Sequence, residues 1–275
     1  MDSHTHIDFF APEQLDRCFR DALSVGVDHF VVPGVSRDKW LGLPVVAKRE
    51  NVFFAFGEHP LELANISTGE TRAGILSKAV EMVKKTPTGS KLVAIGEIGL
   101  DYYRLSTKDL VCRGSQRQAL CEQLSVAAEK NLPVIIHCRD KFGAVEAWND
   151  VISSIEKCGN SPGNILFHSF SYGQKQVEEW TKMGGYISIS GLITKPNSTD
   201  IRDALQFIPK EQMLLETDSP FLLPQALRIE GKEQTENEPK NVVEVARVVG
   251  EILNKDASEI LLQTRENGMR FFRIR

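Results

Sequence analysis

Long apolar runs are missing from this sequence of 275 residues. No stretch approaches the roughly 20 apolar residues that a membrane-spanning helix needs, and the N-terminus lacks the basic segment, apolar stretch and cleavage site of a signal peptide. The chain is nevertheless 41% hydrophobic, which is enough for a large buried core. We therefore expect a soluble protein in the cytoplasm, without a membrane partner.

Cysteine is scarce and scattered. The sequence contains no C-x-x-C pair, so neither a disulfide framework nor a zinc ribbon is expected. Cys138 follows His137 directly, so on a strand it would face away from that histidine, and packing is favoured over a role as ligand or nucleophile. We expect reduced thiols at all five positions, which are Cys18, Cys112, Cys121, Cys138 and Cys158.

Excess positive charge is also missing. The net charge of -4 argues against electrostatic wrapping of duplex nucleic acid. A phosphodiester substrate is still compatible with this charge if metal ions and a few basic side chains neutralise it locally. Neither a G-x-S-x-G motif nor a P-loop occurs, so no other catalytic motif competes with a metal site.

Short β-rich runs alternate with longer amphipathic segments along the chain, without an obvious linker. Eight runs are predicted strands, at residues 1–6, 28–33, 52–57, 91–97, 133–138, 164–168, 185–191 and 212–217. The predicted helices are 12–25, 38–50, 71–85, 115–130, 142–157, 175–183, 198–207, 239–253 and 257–272. This alternation predicts βα units and a parallel sheet. Eight such units are the count of one α/β domain over residues 1–275, a (β/α)8 TIM-type barrel.

His4 and His6 lie in the first predicted strand. Because side chains alternate along a strand, both imidazoles project to one side and can bind one cation. The pair alone is more typical of two polar residues on an exposed strand. Four further residues of ligating type follow later apolar runs: Glu97, His137, His168 and Asp218. In a barrel these strand ends meet at one mouth, so the six together predict a metal site.

Six ligands are too many for one four-coordinate zinc and favour a binuclear site. Glu97 is the natural bridging carboxylate, with His4, His6 and Asp218 on one ion and His137 and His168 on the other. Two cations about 3.5–4 Å apart can generate a hydroxide near neutral pH and stabilise charge on the attacking and leaving oxygens. The sequence therefore predicts a hydrolase.

Two carboxylates near the end of the last predicted strand have different expected roles. Asp218 is the candidate general base, since a carboxylate at the first ion can also accept a proton from bound water; a role as ligand alone stays open. Glu216 has the same strand parity and would point into the barrel. A buried partner of a ligand is favoured for Glu216 over a direct ligand.

Substrate contacts are expected from residues just beyond the strand ends. His59 is placed to touch substrate or bound water, Asp101 lies beyond Glu97, and Arg139 is placed to neutralise a phosphate. An ordinary loop histidine and solvent-facing salt bridges are the competing interpretations. Tyr102 and Tyr103 bring aromatic rings near the same mouth, where stacking on bases competes with packing inside a loop.

Several motifs in this order resemble the TatD family of metal-dependent deoxyribonucleases, most closely its YjjV-like branch. They are His4-Thr5-His6, Gly57-Glu58-His59-Pro60, Gly96-Glu97-Ile98-Gly99-Leu100-Asp101, Ile136-His137-Cys138-Arg139, His168-Ser169-Phe170-Ser171, Thr194-Lys195-Pro196, Glu216-Thr217-Asp218-Ser219-Pro220, Asn237-Glu238-Pro239, Thr264-Arg265-Glu266-Asn267 and Phe271-Phe272. The resemblance implies an amidohydrolase-type barrel with two divalent cations, zinc, manganese or magnesium. It assigns His4, His6, Glu97 and Asp218 to one ion, and Glu97, His137 and His168 to the other.

The resemblance also implies hydrolysis of DNA phosphodiester bonds, often from the 3′ end of a single strand. The alternative is a barrel hydrolase of an amide or ester, including removal of an amino acid from tRNA. A third interpretation is a nucleic-acid-binding or structural protein that keeps metal without turnover. We expect a monomer with DNA as its substrate and no obligate protein partner.

This chain departs from the family pattern in two places. Asp2 directly follows Met1, whereas the family has more apolar residues there, so either the first strand is short or the start of the sequence is internal. The segment Gln225 to Glu236 is long and polar, which leaves substrate selectivity at that rim open.

Overall fold

The computed structural model describes residues 1–64, 81, 91–105, 109–228 and 236–275. Strands in these residues are β1 (Phe30–Pro33), β2 (Val52–Phe56), β3 (Leu92–Asp101), β4 (Val134–Arg139), β5 (Ile165–Phe167), β6 (Tyr186–Ile189) and β7 (Met213–Leu215). Seven of the eight predicted strands are thus present. They follow one another with helices between them, as an α/β protein with parallel strands requires.

The α-helices of the described residues are α1 (Pro12–Ser24), α2 (Arg37–Trp40), α3 (Leu43–Val46), α4 (Pro60–Ala64), α5 (Leu110–Lys130), α6 (Glu146–Cys158), α7 (Gln174–Lys182), α8 (Thr199–Ala204), α9 (Val242–Leu253) and α10 (Ala257–Phe271). Short 3-10 segments occur at Ile7–Phe9, Pro162–Asn164, Gly191–Thr194, Leu205–Phe207, Lys210–Gln212, Gln225–Leu227 and Pro239–Asn241. The predicted helix at 71–85 lies outside the described residues, apart from residue 81.

Local chemistry explains where helix α5 begins and ends. The Asp109 side chain accepts a hydrogen bond of 3.1 Å from the Cys112 N–H, which satisfies one of the free donors of the first turn. Asn131 ends the helix in the left-handed conformation, at φ 50°. The sequence prediction began this helix five positions too late, because the apolar periodicity is weak before Ser115.

The described residues group into two compact units. The first unit contains Met1–Val32, Arg49–Phe53 and His168–Arg275, and the second contains Pro33–Lys48 and Phe54–Phe167. A single domain over residues 1–275 stays a prediction. None of the described helices has the length and apolar character to cross a membrane, and all five cysteines are free.

In the second unit, strands β2 to β5 pair in parallel and in chain order. Ile95 lies opposite Val134, and Gly99 lies opposite His137. Helix α5 packs on β3 and helix α6 packs on β4. Glu97 and His137 lie inside β3 and β4, in the carboxyl-terminal half of each strand, and Asp101 and Arg139 are the last residues of these strands. Because the strands are parallel, these residues lie toward the same edge.

In the first unit, β6 and β7 are parallel neighbours, with Ile189 opposite Leu215. Helices α9 and α10 pack against each other and against β7. The fully buried residues Val245 and Val249 lie on α9. Burial of such apolar side chains drives the packing of these helices.

The N-terminal segment takes the position between β1 and β7, although it is not a regular strand. The N–H groups of Asp2 and Thr5 donate to the carbonyls of His29 and Val31, at 2.8 and 3.0 Å, and Ser3 donates to Leu215 at 3.1 Å. The prediction of a strand at residues 1–6 is therefore wrong in its regularity, since only an isolated bridge is formed there. The ladder is interrupted because the His4 N–H turns to the side chain of Asp2, at 3.3 Å.

Candidate metal centre

His4, His6 and Asp218 converge in the first unit. The Nε2 atoms of His4 and His6 lie 3.1 Å apart, and Oδ1 of Asp218 lies 3.6 Å from the first and 3.3 Å from the second. Both imidazoles are buried. The two histidines therefore face the same side, and two ring nitrogens and a carboxylate oxygen meet at one point.

A tight turn aims Asp218 at this point. Asp218 has φ 55°, a left-handed conformation that few non-glycine residues adopt, although aspartate does so more readily than most. Its N–H donates to the His4 carbonyl at 3.0 Å. The fully buried Asn237 holds the same turn, since its side-chain amide donates to the Thr217 carbonyl at 2.9 Å. The positive φ is thus imposed by contacts on both sides of the turn.

The surroundings of Asp218 favour the ionised form of its carboxylate. Burial raises the pKa of Asp218, but its hydrogen bond with His6 and the nearby His4 and His168 outweigh burial and lower the pKa below its usual value. A carboxylate that stays charged can hold a cation and accept a proton.

His168 joins this cluster from the end of β5. Its ring stacks on that of His4, with centroids 3.9 Å apart, and its Nδ1 lies 3.1 Å from Oε1 of Glu216. The Ser169 N–H also donates to that oxygen, at 2.8 Å. Glu216 is therefore placed to accept the Nδ1 proton of His168, which leaves the ring lone pair on Nε2, the usual arrangement for orienting a metal-binding histidine.

Asp2 is a functional candidate that the sequence analysis did not single out. Its carboxylate accepts hydrogen bonds from Oγ1 and N–H of Thr217, at 2.5 and 3.0 Å, which tie the segment of His4 to the segment of Asp218. Burial raises the pKa of Asp2 to about 7. The Asp-x-His-x-His spacing was the available signal, because it places Asp2 one strand period before His4.

In the second unit, His137 lies between two carboxylates. Its Nε2 lies 3.2 Å from Oδ2 of Asp101, and its Nδ1 lies 2.8 Å from Oε1 of Glu97. Burial raises the pKa of Asp101, but the hydrogen bond with His137 outweighs burial and lowers it. In the tautomer that donates Nε2–H to Asp101, Nδ1 is the nitrogen that could bind a cation shared with Glu97. Asp101 would then orient the His137 ring in the same way as Glu216 orients the His168 ring.

Asp101 is fully buried, and its Oδ1 accepts from the N–H groups of Tyr103 and Arg104, at 3.1 and 3.3 Å. This placement favours a role in positioning His137. Direct contact between Asp101 and substrate stays a prediction.

His59 faces the same pair from the loop after β2. Its Nδ1 accepts from the Leu61 N–H at 3.1 Å, so in the neutral ring the proton lies on Nε2. That nitrogen is 3.4 Å from Oε1 of Glu97 and 3.2 Å from Nδ1 of His137. Although the three residues are close enough to form a cation site, this tautomer makes His59 a hydrogen-bond donor, not a ligand.

Arg139 and Tyr103 form an exposed pair in the second unit. The Arg139 guanidinium carbon lies 4.1 Å from the centre of the Tyr103 ring, and Tyr103 is 48% exposed. Tyr102 differs, since it is buried and its hydroxyl donates to Asp150 at 2.7 Å. Packing therefore explains Tyr102, whereas Arg139 and Tyr103 offer a cation and a ring to solvent.

The chemistry of these donors fits divalent cations. In each unit, histidine ring nitrogens lie close to carboxylate oxygens. In each unit, a buried carboxylate also lies within hydrogen-bond distance of one ring nitrogen of a histidine. Side chains close enough to bind an ion together include His4 with His168 in the first unit and Glu97 with His137 in the second, and Glu216 and His59 lie within the same distance of these pairs. Nitrogen and oxygen donors of this kind suit zinc and related metals. Parallel strands with such clusters at their carboxyl ends define the class of metal-dependent hydrolases.

Comparison with known sequences gives the family. The model of the TatD related DNase family matches residues 1–273, and the chain belongs to this family. It is 30% identical over 277 residues to the uncharacterized metal-dependent hydrolase YabD of Bacillus subtilis, covering 100% of this chain and 99% of that protein. It is 32% identical over 196 residues to the 3′-5′ ssDNA/RNA exonuclease TatD of Pectobacterium carotovorum, covering 70% and 71%.

Solved structures agree with this assignment. The crystal structure of YjjV, a TatD homologue from Escherichia coli, superposes with a TM-score of 0.82 at 27% identity, over 100% of this chain and 98% of that one. A TatD family hydrolase from Entamoeba histolytica has a TM-score of 0.80 at 20% identity, over 98% and 96%. The resemblance to the TatD family and to YjjV is confirmed.

Proposed function

We propose that this protein is a deoxyribonuclease that cleaves DNA phosphodiester bonds, acting as a 3′-5′ exonuclease on single-stranded DNA. The observation that carries the proposal is an arrangement found in both units. A buried carboxylate lies within hydrogen-bond distance of one ring nitrogen of a histidine, Asp101 for His137 and Glu216 for His168. A second residue of ligating type, Glu97 or His4, lies next to each ring. The name of the Pectobacterium relative, a 3′-5′ ssDNA/RNA exonuclease, supports the substrate class. We further propose a closed (β/α)8 barrel, a single domain and a monomer.

We assign the metal ligands by the family pattern. His4, His6, Glu97 and Asp218 would hold one divalent cation, and Glu97, His137 and His168 the other. Such a pair of cations activates a water molecule and stabilises negative charge on a phosphate. Glu216 and Asp101 would keep His168 and His137 in the tautomers that bind metal.

Asp218 is the proposed general base. Its lowered pKa keeps Asp218 deprotonated at neutral pH, which is the form that can accept a proton. The left-handed turn fixes the direction of its carboxylate. Glu97 is proposed as the second catalytic carboxylate. It is 3% exposed, so few water molecules compete for its oxygens.

The proposed substrate contacts are Arg139 and His59. Asp101 would support this site indirectly, by orienting the His137 ring. The exposed Arg139 guanidinium would form charge-assisted hydrogen bonds with a phosphate. The Tyr103 ring, over which the guanidinium lies, would help to orient it. The Nε2 proton of His59 would be donated to a substrate oxygen or to water.

The decisive experiment compares substrates on the metal-reconstituted protein. Labelled single-stranded DNA, duplex DNA, RNA and aminoacyl esters would be incubated with the wild type, Glu97→Ala and Asp218→Asn. We expect single-stranded DNA to be cleaved fastest, and both variants to lose about 10²–10⁴-fold in rate. Asp200→Asn, a change at an exposed position of α8, is the matched control and should retain wild-type activity.

Two results would contradict the proposal. The first is phosphodiester cleavage that survives in both variants, which would point to a contaminating nuclease. The second is hydrolysis of aminoacyl esters far faster than cleavage of DNA, which would support the alternative amide or ester hydrolase.

A further inference from the structure

Two phenylalanines of the first unit each follow a proposed ligand by three positions. Phe9 follows His6, and its N–H donates to the His6 carbonyl at 3.0 Å. Phe221 follows Asp218, and its N–H donates to the Asp218 carbonyl at 2.8 Å. The turns that aim the two ligands therefore also place the two rings.

The rings meet beside His6. Phe9 and Phe221 have centroids 5.9 Å apart at an interplanar angle of 72°, and they lie 5.6 and 5.9 Å from the His6 ring at 71° and 68°. These are edge-to-face contacts, a favourable geometry for aromatic pairs. We call Phe9 and Phe221 the aromatic corner.

The aromatic corner is open to solvent. Phe9 is 41% exposed and Phe221 is 49% exposed, whereas His6 behind them is 3% exposed. Large exposed apolar side chains that cluster next to a polar site commonly mark a binding surface. The exposed area of two rings is far below the roughly 800 Å² per partner of a stable protein interface, so the size of the aromatic corner suits a small planar group.

We propose that the aromatic corner binds a nucleobase of a single-stranded substrate, next to the phosphodiester bond that is cleaved. This inference rests on the proposed nuclease function and names how that site would hold its substrate. A base has a π-face whatever its identity, so stacking on aromatic side chains tolerates all sequences. The aromatic corner contacts the ring of His6, a proposed metal ligand. A base stacked on the aromatic corner would therefore place its own phosphate next to the proposed metal centre. Duplex DNA would be a poor substrate, since its bases are already stacked and paired.

The test removes the aromatic faces while keeping an apolar side chain at each position. Phe9→Leu and Phe221→Leu remove the π-face, while Phe9→Tyr and Phe221→Tyr retain it. Binding would be measured by fluorescence anisotropy on chelator-treated protein, and KM on metal-loaded protein. Two probes are needed, a labelled oligothymidylate and the same strand with abasic sites at its last two 3′ nucleotides.

We expect the leucine variants to weaken binding and raise KM about 5- to 150-fold on the intact strand. The tyrosine variants should remain near the wild type. On the abasic strand, wild type and leucine variants should be alike, because the partner of the rings has been removed. Phe207→Leu is the matched control, since Phe207 is 37% exposed but lies before β7, at its amino end, and it should change neither measurement.

Metal content per chain separates stacking from a structural effect on His6. It should be the same in the leucine variants and the wild type. Leucine variants that lose metal, or that weaken the intact and abasic strands equally, would overturn the inference, as would variants that bind both strands like the wild type. If the variants bind both strands like the wild type and the wild type cleaves DNA, the proposed function stands and only the role of the aromatic corner is wrong. If the wild type cleaves no nucleic acid but hydrolyses aminoacyl esters, the proposed function fails and the nucleobase assignment fails with it.

Discussion

The Nδ1 atom of His168 lies 3.1 Å from Oε1 of Glu216, a carboxylate with no exposed surface. In the tautomer that donates Nδ1–H to Glu216, this bond fixes the orientation of the His168 ring and leaves the ring lone pair on Nε2. Loss of such a partner typically reduces metal affinity or activity 10- to 100-fold. We therefore propose that Glu216 positions His168 and does not contact the substrate.

Glu216→Gln should weaken metal binding by about 10- to 100-fold, because a neutral amide is a poorer acceptor for the Nδ1 proton of His168. Calorimetric titration of metal-stripped protein with Zn²⁺ or Mn²⁺ would measure the change. Glu211→Gln is the matched control, since its side chain is 59% exposed. Equal metal affinities in Glu216→Gln and the wild type would refute this role.

Arg139→Ala should raise KM for DNA and reduce the slope of log KM against log salt by about one, the signature of one lost phosphate contact. Arg139→Lys should recover only part of the loss, because an ammonium group cannot lie flat on Tyr103 and form a bidentate pair. Steady-state kinetics at several salt concentrations would measure both. Lys130→Ala, at an exposed residue before the amino end of β4, should leave the slope unchanged; an unchanged slope in Arg139→Ala would exclude the contact.

Gly99→Ala should unfold the protein or destabilise it by more than about 3 kcal/mol. A Cβ at Gly99 would lie 1.8 Å from the His137 carbonyl oxygen, and its φ of +149° disfavours other residues. Gly114→Ala is the contrasting change, since Gly114 is inside helix α5 and, apart from its chain neighbours and the backbone of that helix, no described atom lies within 4 Å of the added Cβ. It should stabilise by about 0.5–1 kcal/mol. Urea denaturation would show both, and a tolerated Gly99→Ala would mean that β3 and β4 do not pair as described.

Asp28 should make stability depend on pH. The Arg265 guanidinium donates to both Asp28 oxygens, at 3.1 and 2.8 Å. Burial raises the pKa of Asp28, but Arg265 and His29 outweigh it and lower the pKa far below its usual value. Because the folded-state pKa is depressed, the stabilisation is present above the unfolded value of about 3.9 and is lost as pH falls through the folded-state pKa.

Asp28→Asn should therefore be less stable than the wild type near pH 7, by about 1 kcal/mol or less for a partly exposed pair. The difference should narrow as the pH is lowered from about 4. Urea unfolding of metal-free protein at several pH values would measure it, with Asp200→Asn as the control. A difference that widens in acid would contradict the sign of the pKa shift.

Much of the fold follows from local pattern. Apolar runs placed seven strands within a few residues of their positions, because strand and helix periodicities are written in neighbouring side chains. The same rule of alternation placed His4 and His6 on one side. It failed for the regularity of residues 1–6, where a hydrogen bond from the His4 N–H to the Asp2 side chain interrupts the ladder.

Residue types at strand ends were enough to nominate six ligands, which are His4, His6, Glu97, His137, His168 and Asp218. The resemblance to the TatD family came from whole motifs in their order along the chain. Spacing could not show that Glu216 fixes His168, that Asp101 fixes His137, or that Asp2 joins the segments of His4 and Asp218. Those relationships link residues far apart in the chain, and they exist only where packing brings buried carboxylates within hydrogen-bond distance of one particular nitrogen or hydroxyl. The aromatic corner is of the same kind: two local turns set each ring, and their meeting beside His6 is a property of the folded chain.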